Sequence, residues 1–150
     1  LNNQYDLIAF GGGKFTLEEK TLFKEVGLDA NKVIHESGTD EKLAQFYSAA
    51  SLFVYPSLYE GFGIPPLEAM SLNCPVACSN TSSMPEVVGN VAALFDPQSV
   101  KSISNAIESV IEDLSYKNQL IIRGKNRIKL FSWDSCSQRT YEIYKKVIQQ

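Results

Sequence analysis

Short apolar runs alternate with segments of helical periodicity along this chain, which is the pattern of a parallel sheet with helical crossovers. Strands are predicted at 5–10, 32–36, 51–55, 75–78 and 91–94, where β-branched and aromatic residues gather, as in Leu52-Phe53-Val54-Tyr55. Thr16 and Glu19 have the spacing of a capping box that starts the first helix, and Asp40 is placed to cap the second. Each helix should cross back in the right-handed sense, so the predicted fold class is α/β.

After the last strand the pattern turns helical. Asp96-Pro97 reads as an N-cap followed by proline at the first helical position, and Val100, Ile103, Ile107, Val110, Ile111 and Leu114 mark one helical face. A further helix is predicted from Lys117 to Leu130. Ser132 then caps a final one whose apolar face includes Trp133, Cys136, Tyr144, Val147 and Ile148.

The segment from Ser57 to Ala69 holds the most chemistry. It follows a predicted strand, and Pro65-Pro66 pre-set φ for the first turn of a helix, so it is a strand-to-helix loop. In open parallel sheets such loops lie where ligands bind, and free N–H groups at the helix start attract phosphate. Gly61 and Gly63 let the backbone approach a ligand closely. Glu60 precedes the helix and Glu68 lies in its first turns, so the two carboxylates can address different parts of one ligand. A carboxylate accepts two hydrogen bonds side by side, which suits the vicinal diol of a sugar or ribose. The plainer reading makes Glu68 a partner of the helix dipole and Glu60 a solvated loop residue.

The string Pro56-Ser57-Leu58-Tyr59-Glu60-Gly61-Phe62-Gly63-Ile64-Pro65-Pro66-Leu67-Glu68-Ala69 closely resembles the Glu-x7-Glu signature of retaining GT-B glycosyltransferases of family 4. Leu43 to Ala50 resembles the helix before that signature, and Pro75 to Asn80 with Met84 to Gly89 resembles the strand and short helix after it. Phe95-Asp96-Pro97 and Phe131-Ser132-Trp133 match later landmarks, so nearly the whole chain is covered. The resemblance implies a Rossmann-like parallel sheet flanked by helices, the C-terminal half of a GT-B fold, with a helical C-terminal end. It implies Glu60 as the catalytic-site carboxylate on the donor sugar's hydroxyls and Glu68 on the ribose. Backbone N–H groups of Gly61, Phe62, Gly63 and Ile64 would lie near sugar and phosphate. It further implies a nucleotide-diphosphate sugar as donor, a hexose-type transfer with retained configuration, and no metal or other cofactor.

One departure matters. Family members carry an Arg and a Lys after the first strand of this domain that neutralise the diphosphate. Nothing in residues 1–50 matches them, because Tyr5 to Phe10 aligns with the family's second strand. Residues 1–150 are therefore expected to be a single donor-binding domain that lacks its first strand–helix unit and the N-terminal acceptor domain. Such a piece is expected to bind donor weakly and not to turn it over alone. Glycan or lipid-linked acceptor, and any membrane contact, would come through the missing part. The final helix would pack toward that part, leaving its aromatics exposed here.

Composition narrows the picture further. At 150 residues and 44% hydrophobic the chain has the size of one domain with a sizeable core. A net charge of −3 gives no basic footprint for a nucleic acid. No apolar run approaches the roughly 20 residues that span a bilayer, and no signal-peptide pattern opens the chain. Cys74, Cys78 and Cys136 make an odd count, read as reduced thiols of a cytoplasmic protein.

Other polar residues admit two readings each. Gly11-Gly12-Gly13-Lys14 follows a strand, but a P-loop needs Ser or Thr after the lysine and Phe15 stands there. Gly12 is read as part of a plain glycine-rich turn, with a place near the donor sugar or phosphate as the other reading. His35 ends the second strand beside Glu36-Ser37-Gly38, where the resemblance places the nucleobase; strand-end packing is the alternative. Asn80, Thr81 and Ser82 follow the fourth strand, where hydroxyl or N–H groups can reach a phosphate. Ser83 and Glu86 have capping-box spacing, which gives Glu86 a structural task. A non-catalytic sugar-nucleotide-binding module and a GT-B epimerase remain alternatives. A Rossmann dehydrogenase would need Gly-x-Gly-x-x-Gly at the first turn, which is absent.

Overall fold

The computed structural model describes residues 4–149. The chain forms two compact units, Leu1–Phe46 and Tyr47–Gln150, with the division inside one helix.

The first unit holds β1 (Leu7–Phe10), α1 (Leu17–Glu25), a 3-10 turn at Ala30–Lys32, β2 (Val33–Glu36) and the start of α2 (Asp40–Ala49). The strands pair in parallel, Leu7 opposite Val33 and Phe10 opposite Glu36. The capping box forms as expected: Glu19 N–H donates to Thr16 Oγ1 at 3.2 Å and Thr16 N–H to Glu19 Oε2 at 2.7 Å. Asp40 is instead the first helical residue, and the α2 ladder begins one residue earlier, with Leu43 N–H bonded to Thr39 O. Its charge there complements the helix dipole. Aromatic edges fill this small unit: Phe15 meets Phe23 at 5.1 Å and His35 at 5.8 Å, and Phe10 meets Phe46 at 5.6 Å.

The second unit holds β3 (Phe53–Tyr55), α3 (Ile64–Ser71), β4 (Val76–Ser79), α4 (Met84–Val88), β5 (Ala93–Phe95), α5 (Val100–Glu112), α6 (Leu114–Arg127), a 3-10 turn at Ile128–Leu130, and α7 (Trp133–Ile148). Its sheet runs β3-β4-β5, all parallel, and β4 in the centre is buried at every residue. That is why Val76-Ala77-Cys78-Ser79 reads as a continuous run rather than an alternating one. Ala77, Ala93, Phe95, Ala106, Val110 and Leu120 form one core, flanked by Leu52, Val54, Ile103 and Tyr116. The α6 helix approaches α3 closely at buried Gly124, where a Cβ would stand 3.2 Å from Met70 Cγ. Cys74 and Cys78 are buried free thiols, and burial pushes them up to about 11 and about 12.

The C-terminal helices differ from the expected boundaries. Asp96 does not cap α5; its carboxylate accepts from Gln98 N–H at 2.9 Å in a turn, and Ser99 caps the helix through Ser102 N–H. Asp113, extended at φ −105°, ends α5 and caps α6 by accepting from Tyr116 N–H at 2.9 Å. The apolar stripe is therefore cut before Leu114, which is exposed, as is Val100. Ser132 caps α7 as expected, and no residue of α7 is buried. Leu120→Ala should lower stability by about 2–5 kcal/mol through the cavity it leaves, whereas Leu114→Ala should stay within about 0.5 kcal/mol. Urea denaturation of the two variants checks the difference.

Candidate functional site

The β3–α3 turn, residues 56–63, is built around one glycine. Gly63 precedes α3 at φ +91°, and a Cβ at this position would lie 1.9 Å from Cε of Met84, which is buried. Both the left-handed backbone and the close contact thus require glycine here. Pro65 and Pro66 occupy the first turn of α3, as their fixed φ predicts. Among the described residues, the N–H groups of Phe62, Gly63 and Ile64, at the positive end of the helix, donate no hydrogen bond; Phe62 and Ile64 are exposed and Gly63 is buried.

Glu60 is held from below. Tyr55, the last residue of β3, donates its hydroxyl to Glu60 Oε1 at 2.5 Å, and Ser57 Oγ donates to the same oxygen at 2.9 Å. Oε1 is thereby occupied, while nothing among the described residues bonds Oε2. Burial, then the bond to Glu60, then its charge push the Tyr55 phenol up to about 12. Sequence reasoning missed Tyr55, although a tyrosine ending the strand five residues before a carboxylate was a usable signal.

A run of hydroxyls after β4 ties down the main chain of this turn. Ser79 Oγ donates to Ser57 O, Thr81 Oγ1 to Leu58 O at 3.2 Å, and Ser83 Oγ to Glu60 O at 2.9 Å and Phe62 O at 3.0 Å. Ser82 Oγ donates to Glu60 O at 2.5 Å and accepts from Glu60 N–H at 3.1 Å. The expected capping box at Ser83 and Glu86 is therefore not formed: Ser83 has helical φ/ψ and its hydroxyl serves the turn instead. Likewise the hydroxyls of Thr81 and Ser82 are committed to carbonyls rather than aimed at a phosphate. Asn80 is exposed, and its N–H bonds Phe95 O at 2.8 Å.

Glu68 lies on the exposed side of α3, close enough for its charge to help raise Tyr47 to about 12 after burial itself. The turn also has an aromatic buttress that no local spacing revealed. Phe62 meets Phe131 edge-on at 5.7 Å, and the Arg127 guanidinium stands 5.3 Å above the Phe131 ring. Arg127 donates through Nε to Val87 O at 2.9 Å and through Nη2 to Glu86 O, satisfying the C-terminal carbonyls of α4. It also lines a depression of about 380 Å³ with Asn90, Val91, Arg123, Asn126 and Leu130, none of which is a sequence candidate.

Glu60, Gly61, Phe62, Gly63, Ile64, Glu68, Asn80 and Thr81 thus all lie in the second unit, and Glu60 and Thr81 share one hydrogen-bonded turn. Gly12 and His35 belong to the first unit. Gly12 adopts φ +63° in an exposed turn, and His35 donates from Nε2–H to Gly11 O at 3.0 Å, which closes the end of β1. Among the described residues no three His, Cys, Asp or Glu side chains gather to hold a metal ion.

Parallel strands flanked by helices, with a helical C-terminal end, are an architecture shared with GT-B glycosyltransferases. The structure superposes on sucrose-phosphate synthase from Thermosynechococcus elongatus with a TM-score of 0.81 and 28% identity, over 96% of this chain and 39% of that one. The family model "Glycosyl transferases group 1" matches residues 1–127, and the chain belongs to that family. It is 48% identical over 106 residues, 71% of its length, to the O-antigen chain mannosyltransferase B of Escherichia coli. It is 40% identical over 139 residues, 91% of its length, to the O-antigen chain mannosyltransferase RfbU of Salmonella typhimurium. The chain spans 28% and 38% of those two relatives.

Burial of Tyr55, with its bond to Glu60, sets a pH dependence. Between pH 10 and 12 the unfolded chain loses the Tyr55 proton while the folded one keeps it, so stability present below pH 10 falls as pH rises through 12. Thermal midpoints across this window should fall less steeply in Tyr55→Phe, with Tyr47, Cys74 and Cys78 supplying slope that remains.

Proposed function

We propose that this chain is the donor-binding domain of a retaining glycosyltransferase that moves a hexose, mannose by preference, from a nucleotide-diphosphate sugar to a glycan or lipid-linked acceptor. The observation that carries the reading is Glu60 in the turn that leads into α3, with Oε1 held by Tyr55 and Ser57, Oε2 unbonded among the described residues, and three N–H groups without hydrogen bonds at residues 62–64 that follow. The mannose preference comes from the names of the two relatives at 48% and 40% identity.

In this reading the N–H groups of Gly61, Phe62, Gly63 and Ile64 take the donor's sugar and diphosphate. As the anomeric bond loosens, negative charge grows on the leaving diphosphate, and preorganised N–H groups at a helix start stabilise it without a metal ion. Glu60 Oε2 accepts from a sugar hydroxyl and fixes the ring, while exposed Glu68 accepts the paired ribose hydroxyls. Asn80 flanks the diphosphate. The acceptor is bound by a segment outside these residues, and the work is done in the cytoplasm, at the membrane where the acceptor is lipid-linked.

In the intact protein Glu60→Ala should cut glycosyl transfer by about 100-fold or more. Glu68→Ala should raise the donor KM by roughly 10-fold or more, as expected for a lost hydrogen bond to a charged group. Far-ultraviolet circular dichroism should be unchanged in both variants. Transfer at the normal rate in Glu60→Ala would remove the basis for the reading, and the anomeric coupling of the product separates retention from inversion.

A further inference from the structure

We propose that Ser82 is a positioning residue for the Glu60 carboxylate, trading backbone strain for the orientation of that side chain toward a donor sugar. The role rests on the donor reading above but adds a residue to it. Ser82 sits at φ +57°, in the left-handed region that a residue with a Cβ enters at a cost. Glycine would sit there without that cost. The serine hydroxyl is the gain: it donates to Glu60 O at 2.5 Å and accepts from Glu60 N–H at 3.1 Å, gripping both main-chain groups of one residue as a neighbouring strand would.

That grip falls on the residue whose side chain needs a fixed direction. Glu60 follows the irregular stretch Pro56 to Tyr59, where no ladder fixes its backbone. Its side chain is braced through Oε1 by Tyr55 and Ser57, which sets the carboxylate only if the Cα stays in place. The neighbouring hydroxyls do other work: Thr81 holds Leu58 O, and Ser83 holds Glu60 O and Phe62 O. Ser82 alone among these bonds the Glu60 N–H. An exposed, left-handed serine would be poorly chosen for stability, and this contact is what it supplies.

Ser82→Gly separates the two roles, because it relieves the backbone and deletes the hydroxyl. In the intact protein, thermal midpoint and donor affinity are measured together, with GDP-mannose and UDP-glucose as probes and Glu60→Ala as reference. Amide hydrogen exchange at 60–62 is followed without ligand. The expected result is an unchanged or higher midpoint, faster exchange at Glu60 and Gly61, and about 10-fold weaker binding of whichever probe the wild type binds, the loss expected for roughly one net hydrogen bond. Ser82→Ala should bind as weakly and melt lower. A lower midpoint in Ser82→Gly with unchanged affinity would make Ser82 a structural residue and overturn the proposal, as would unchanged exchange at Glu60. If the wild type binds neither probe with any dependence on Glu60, the donor reading fails, and the exchange result still decides whether Ser82 holds Glu60.

Discussion

The hydroxyl-to-carbonyl bonds between residues 79–83 and the turn at 57–62 are the constraint on which the candidate site depends. A turn of this kind loses conformational entropy of about 1–2 kcal/mol per residue when it is ordered, and it has no ladder to offset that loss. Here four hydroxyl side chains, Ser79 at the end of the buried central strand and Thr81, Ser82 and Ser83 just after it, donate to the carbonyls of Ser57, Leu58, Glu60 and Phe62. Because those bonds satisfy carbonyls, they leave the N–H groups at the start of α3 unspent. The loop after β4 thereby shapes the turn after its neighbour β3.

The same turn is fixed from two further directions. Met84, buried under Gly63, makes any residue larger than glycine impossible at the helix start without movement of the core. Phe62 leans on Phe131, and Arg127 joins that ring to the end of α4. The turn therefore senses α4 and the α6–α7 junction, although its own chemistry comes from a dozen residues. Rigid surroundings around a few unbonded N–H groups and carboxylates are what a site for a charged, hydroxylated ligand requires.

Local signals were legible in the sequence and long-range ones were not. Thr16 with Glu19, Ser132 and the paired prolines of α3 were read correctly because their partners lie within four residues. The alternation of strands and helices, and the family string from Pro56 to Ala69, gave the fold. Ser83 was misread because its capping spacing was satisfied locally, while in the fold two carbonyls more than 20 residues away take its hydroxyl. Ser99 takes the capping role expected of Asp96, and Asp113 interrupts the stripe before Leu114, since an apolar stripe does not reveal where an extended residue will break it. Arg127 was invisible because its acceptors lie 40 residues upstream.

The most direct test of the central claim is a titration of the intact protein with UDP, GDP and ADP and then the matching sugar nucleotides, following the backbone amides of residues 60–68 by NMR. The account predicts saturable shifts at Gly61 to Ile64 for one base, larger with the sugar nucleotide than with the nucleotide alone. Saturable binding that leaves those amides unmoved, or no binding to any of them at millimolar concentration, would contradict it.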